Sequence, residues 1–495
     1  MSNAFRFIFR TFKAGSATAA EMLLATSIAW LAFSGAAGAS RINFQHIVVI
    51  VQENRTPDNL FYALCQYVTC STNPTSTQYD IQTTNWLDNS SPGGFTQPSP
   101  VPLATLWGPR HAHRYFAIMC DANPMTHVCA MDGANGISCE HPSGCPAKSS
   151  FSYVDNSTGI LDPYLRLAGY YGWANYMFQT NQGPSYPAHQ FIFGGSSAPS
   201  AIDDHHGIFA SENVQKTTEQ AGCAAPADQR VQLIDNKGTE NPKNTIFPCF
   251  ERTTLSDLLG DKGVSWRYYA YDDDALSIWD APNSIQHICV AGGGVCTGNL
   301  YTGNVDPTPA DILNDIGNCN LRQVSWVTPL GAYSDHAGSL ADNGGPDWVA
   351  SIVNAVGNST CKNADGSSYW DSTAILITWD DWGGWYDHEP PTVLPSPEGA
   401  YQYGFRVPFL FVSAYTPPGL ISNARYDFGS ILRTIERNFG IQEGALTFAD
   451  HRAANNLSAF YDFTLTPRTF TAIPSTRHAT DFIHDKRKPT APDDD

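Results

Sequence analysis

Three short apolar runs interrupt an otherwise polar, loop-rich chain, and each stops abruptly. Residues 44–51 (FQHIVVIV) give way to Gln52, Glu53, Asn54 and Arg55. Residues 374–377 (AILI) lead through Thr378 and Trp379 into Asp380 and Asp381, then Gly383, Gly384, Asp387 and His388. The third run, 407–412 (VPFLFV), precedes Thr416-Pro417-Pro418-Gly419. Runs this short and this apolar are expected as buried strands. Residues 348–356 and 428–439 carry apolar positions at helical spacing. Strands interleaved with helices predict an α/β fold, a mainly parallel sheet with helices on both faces. Such sheets bind ligands outside the carboxyl ends of their strands. The acids at 53, 380 and 381 fall at that edge.

The stretches 66–105, 212–245 and 281–318 are polar and long, as expected for lids or insertions pinned by disulfides. The chain has 495 residues and 12 cysteines. No Cys-x-x-Cys occurs, which argues against zinc fingers. An even cysteine count predicts disulfides in an oxidising compartment. Cys65/Cys70, Cys120/Cys129, Cys139/Cys145 and Cys289/Cys296 are close enough to form local loops. Arg6, Arg10 and Lys13, the apolar run 22–33 and Ala37-Gly38-Ala39 read together as a secretory signal peptide over 1–39. The expected organisation is then a catalytic domain over 40–475 and a disordered, acidic-ended tail over 476–495. No later run is long enough to span a bilayer, so the mature chain is expected to be secreted or periplasmic. The formal net charge of -19 argues against nucleic acid as a partner.

Four clusters carry candidate chemistry: Glu53-Asn54, Asp380-Asp381, Ser185 in Gly183-Pro184-Ser185-Tyr186-Pro187, and recurrent histidines at 111, 113, 189, 336 and 388. Carboxylates and an amide at two strand ends suit one hard divalent cation, Ca2+ or Mg2+. Acids at such positions also commonly cap helices or make turns, and a serine beside proline is a favoured helix cap. A serine hydroxyl becomes a nucleophile only when a base or a metal activates it. The cation site would do that for Ser185.

Residues 46–58, with His46-Ile47-Val48-Val49-Ile50-Val51-Gln52-Glu53-Asn54-Arg55-Thr56-Pro57-Asp58, resemble the opening signature of the secreted phosphoesterase family, usually worded Gln-Glu-Asn-Arg-Ser-Phe-Asp. That family holds bacterial non-specific phospholipases C and a group of acid phosphatases. Residues 377–391 (ITWDDWGGWYDHEPP) look like its second signature. Met131-Asp132-Gly133, the Ser185 segment, 265–268 (SWRY), 334–338 (SDHAG), Trp348, 404–408 (GFRVP) and 427–436 (DFGSILRTIE) follow in the family's order. Two departures stand out. Ala134 replaces an aromatic residue, and Gly108 stands where the family commonly has Asp three positions before its histidine.

The resemblance implies an alkaline-phosphatase-like fold. It implies a divalent cation held by Glu53, Asn54, Asp380, Asp381 and Ser185, with Ser185 as nucleophile. His111, His336 and His388 would surround the phosphate, with His111 preferred to His113. Asp381 stands where the phospholipase branch often has Glu, so it resembles the phosphatase branch. The expected activity is phosphoric ester hydrolysis through a phosphoseryl intermediate, with a broad acid phosphatase or phosphodiesterase first. A phospholipase C acting on phospholipid at a membrane surface is the alternative, and an inactive binding protein on the same scaffold is a second. Histidines around an anionic substrate in an acidic protein lead to an expected acidic pH optimum.

Overall fold

The computed structural model describes residues 43–487 apart from 141–143, 214–220, 272–276, 339–340 and 396–398. The expected signal peptide, and residues 488–495 of the expected tail, lie outside the described residues.

The apolar runs form the centre of one eight-stranded sheet. Its strands are β1 (His46–Gln52), β2 (Gly172–Phe178), β3 (Trp266–Tyr269), β4 (Val305–Asp306), β5 (Val324–Val327), β6 (Thr373–Trp379), β7 (Phe409–Val412) and β8 (Ile421–Asp427). Their order is β4-β3-β5-β1-β6-β7-β2-β8. Among these strands only β7 runs against the others. Every residue of β1 and β6 is buried, which requires cover on both faces and explains their unbroken apolar character.

The helices used below are α1 (Pro57–Leu60), α2 (His113–Cys120), α3 (Asp162–Tyr170), α4 (Ser185–Gly194), α5 (Gly345–Gly357), α6 (Phe428–Asn438) and α7 (Ala479–Ile483). They pack in two groups, α5 against α3 and α7, and α6 against α4. Asp427 caps α6 and accepts from the Ser430 amide at 3.0 Å, so strand β8 turns directly into that helix.

Residues 476–487, expected as tail, are packed against the body. The Thr476 and Arg477 amides donate to Asp347 at 3.1 and 3.0 Å. Phe482 is buried edge-on against Tyr333 and Trp348. One apolar residue per turn sufficed to dock a segment whose composition reads as polar.

All four expected local disulfides form, together with Cys223–Cys249 and Cys319–Cys361. Among the described residues no helix is long and apolar enough to cross a membrane.

Candidate active site

Register builds the site. Gln52 lies opposite Trp379 at the last rung of the β1–β6 ladder, so the next residues, Glu53 and Asp380, leave the sheet side by side. The ladder continues into the turns. The Asp380 amide donates to Gln52 O at 2.9 Å and the Arg55 amide to Asp381 O at 3.0 Å. Asn54 adopts φ +62° there, a conformation asparagine tolerates better than most residues. Gly383, also at φ +62°, passes so close that an added Cβ would sit 2.2 Å from Asn54 O. That is why glycine follows the acidic pair.

β2 and β5 deliver the remaining parts to the same edge. After β2, Gln179 donates to Asn181 O and Gly183 O at 2.8 and 2.9 Å, shaping the loop into α4. Pro184 is the N-cap and Ser185 the first helical residue, with no side-chain cap bond. Ser185 therefore stands one residue past the cap position. Its hydroxyl points to Asp381 Oδ2 at 3.3 Å and Asn54 Oδ1 at 3.5 Å. After β5, Gln52 ties the 333–336 loop to β1, donating to Tyr333 O at 3.0 Å and accepting from the Asp335 amide at 3.1 Å. Arg55, fully buried, donates to Asp335 O, Asn59 Oδ1 and Leu103 O. This fixes the turn after β1 to the His336 loop. Gly108 packs on Ala337, where a Cβ would lie 2.8 Å from its carbonyl oxygen.

Each acid of the pair has two jobs. Asp380 Oδ1 accepts from the Asn54 amide at 2.9 Å, and Asp381 Oδ1 from the Gly383 amide at 2.7 Å. Those are the turn contacts. Asp380 Oδ2 has no hydrogen-bond partner and Asp381 Oδ2 faces Ser185. Glu53 Oε2 is likewise unpartnered. Burial, reinforced by Asp380, Asp381 and Asp335, pushes the Glu53 carboxyl well above its ordinary pKa. Buried, mutually repelling carboxylates with unsatisfied oxygens fit a cation. Glu53, Asn54, Asp380, Asp381 and Ser185 are the residues that would hold it.

The histidines divide. His111 Nδ1 faces Pro109 O at 3.2 Å, which requires a proton on Nδ1. Its Nε2 then accepts from Asn54 Nδ2 at 2.8 Å and lies 3.8 Å from Asp381 Oδ2. That bond fixes the amide so that Asn54 Oδ1 turns toward Ser185. His336 is 5.8 Å from His111 between ring centroids and donates from Nδ1 to Ala337 O at 2.7 Å. His113 lies elsewhere, between Gln182 O and Gly238 O.

His388 does not join this group. Its Nδ1 is 2.8 Å from Asp58 and its Nε2 3.0 Å from Asp80. Arg406 completes a buried ionic network with Asp80 and Asp387 at 3.0 and 2.8 Å. Both ring nitrogens are engaged by carboxylates. His189, one of the recurrent histidines, was given no role from the sequence. It sits one helical turn after Ser185 on α4, with Nε2 3.1 Å from Glu53 Oε1 and 3.7 Å from Asp380 Oδ2. The i, i+4 spacing from Ser185 was the available signal. Burial pulls its pKa down to about 4, with Asp380 opposing, so the ring is neutral.

The sequence model of the Phosphoesterase family matches residues 44–442. Among curated proteins, Phospholipase C B of Mycobacterium tuberculosis is 25% identical, over 47% of this chain and 49% of its own length. Non-hemolytic phospholipase C of Pseudomonas aeruginosa is 25% identical, over 55% of this chain and 42% of its own length. Non-specific phospholipase C6 of Arabidopsis thaliana is 31% identical over a shorter stretch, 34% of this chain and 36% of its own. The chain thus spans about half or less of the length of these relatives. A solved protein of the alkaline phosphatase superfamily from Vibrio parahaemolyticus aligns at 12% identity, covering 58% of this chain and 62% of that one, with a TM-score of 0.31. That score carries no weight for the fold, which rests on the sheet itself.

Proposed function

The chain belongs to the Phosphoesterase family, and from that premise and the geometry above we propose that it cleaves phospholipids as a phospholipase C with Ser185 as nucleophile. The observation that carries this reading is the Ser185 hydroxyl. It sits at the start of α4 and faces Asp381 and Asn54. The curated relatives described above are named phospholipases C, which favours a phospholipid over the broad acid phosphatase expected first. An inactive scaffold would have had no reason to keep the acids, the serine and His111 in mutual contact. Six disulfides support work outside the cytoplasm, secreted or periplasmic.

Ser185 Oγ attacks phosphorus while the bond to the diacylglycerol oxygen breaks. The hydroxyl proton has Asp381 Oδ2 as its nearest carboxylate acceptor. His336, whose Nδ1–H is fixed on Ala337 O, gives a proton from Nε2 to the departing alcohol. The positive end of the α4 dipole lies at Ser185 and favours the phosphoryl group there. Water then releases the phospho-headgroup from the serine ester. A divalent cation held by Glu53, Asn54, Asp380, Asp381 and Ser185 would supply charge neutralisation and a lowered serine pKa.

The test compares phosphatidylcholine, p-nitrophenyl phosphorylcholine and p-nitrophenyl phosphate as substrates for the mature protein. Release of diacylglycerol is expected from the first, and Ser185→Ala should abolish it while leaving folding unchanged. Turnover confined to p-nitrophenyl phosphate, or an active Ser185→Ala protein, overturns the reading.

A further inference from the structure

The imidazole of His189 alters what the cation cluster can hold. His189, Glu53 and Asp380 form one group of potential donors, each with a ligand atom within 4.8 Å of the others. All three side chains are fully buried. His189 Nε2 lies 3.1 Å from Glu53 Oε1 and 3.7 Å from Asp380 Oδ2. Ligand atoms at about 2.1 Å from a common metal lie roughly 3.0–3.4 Å apart in octahedral or tetrahedral geometry. The 3.1 Å separation matches such an edge, and the 3.7 Å separation is somewhat longer. Glu53 Oε2 and Asp380 Oδ2 are buried oxygens with no donor facing them.

Donor chemistry then selects the ion. Calcium and magnesium take oxygen donors, whereas a neutral imidazole suits first-row transition metals. A calcium site would use the position one turn below Ser185 for another oxygen. Here the chain spends it on an imidazole nitrogen 3.1 Å from Glu53 Oε1.

We propose that His189 is a ligand of the cation at Ser185, and that the resident ion is a transition-metal dication of the Zn2+ or Mn2+ class. This replaces the Ca2+ or Mg2+ expected from the oxygen donors alone, and it rests on the reading of a cation site given under the proposed function. Ligation through Nε2 moves the ring proton to Nδ1 and exchanges the hydrogen bond to Glu53 for a bond to the metal.

Chelator-treated full-length mature protein is titrated calorimetrically with Zn2+, Mn2+, Mg2+ and Ca2+ without substrate. The zinc-loaded protein is then studied by X-ray absorption. Zn2+ or Mn2+ is expected to bind at least about tenfold tighter than Mg2+ or Ca2+, with imidazole scattering around the zinc. His189→Gln should lose that scattering and about 100-fold or more in Zn2+ affinity, with Mg2+ affinity changed only a few-fold. Tightest binding of Mg2+ or Ca2+, or a zinc spectrum lacking imidazole in the unaltered protein, overturns the inference and leaves His189 as a donor to Glu53. The absorption spectrum of the unaltered protein decides the matter even where His189→Gln fails to fold. Imidazole-bound zinc in a protein that cleaves no phospholipid would sink the proposed substrate and leave this inference standing.

Discussion

Removing the charge of His388 should destabilise the protein at neutral pH and leave it nearly unaffected at pH 10.5. Burial alone would lower the pKa of this ring, but Asp58 and then Asp80 outweigh it and raise the value from 6.5 to about 10. In the unfolded chain the ring titrates near its ordinary value. The folded state therefore binds the proton more tightly, and the stabilisation is fully present below pH 6.5. It is lost as the pH rises through about 10. At about 1.4 kcal/mol per unit the shift sets a ceiling near 5 kcal/mol. The ring shares its carboxylates with Arg406, so a loss of about 3 kcal/mol is the expected scale for breaking a buried pair. Urea unfolding of His388→Gln and the unaltered protein, disulfides intact, should give a gap of that size at pH 6 that closes toward pH 10.5. Other groups titrate over this range, but they do so in both proteins and cancel in the difference. An equal gap at both pH values, or none at pH 6, would refute the pairing argument.

Gly383→Ala would place a Cβ 2.2 Å from Asn54 O at φ +62°; displacement of Asn54 should cut turnover at least about tenfold, read as a fall in kcat with the circular dichroism spectrum retained. Replacing Cys319 and Cys361 together by Ala opens a link across 42 residues of chain, and loop-closure entropy predicts a loss of about 4 kcal/mol, measurable as a lower urea midpoint with activity retained in the folded fraction.

Much of the site was legible before folding because strand ends are local events. The runs at 44–51 and 374–377 had to be buried strands, and the polar residues after them had to emerge at sheet edges. Pairing of cysteines five to nine positions apart was legible for the same reason. Cys223–Cys249 and Cys319–Cys361, separated by 26 and 42 residues, were not, since no local geometry brings them together. The partners of His388 were not legible either, since Asp58 and Asp80, which engage its ring, are more than three hundred residues away. A lone histidine carries no mark of which acids will reach it.

Hydrophobic patterning by itself determined the α/β class, the buried central strands and the edge at which the acids appear, because burying apolar runs constrains every chain in the same way. The strand order and register were decided only by tertiary structure. Setting Gln52 against Trp379 put Glu53 beside Asp380. Swinging α4 across that edge brought His189 onto both carboxylates and Ser185 onto Asp381 and Asn54. These contacts join residues that are strangers along the chain. Their energies come from burial and charge at close range, which exist only once the sheet has assembled.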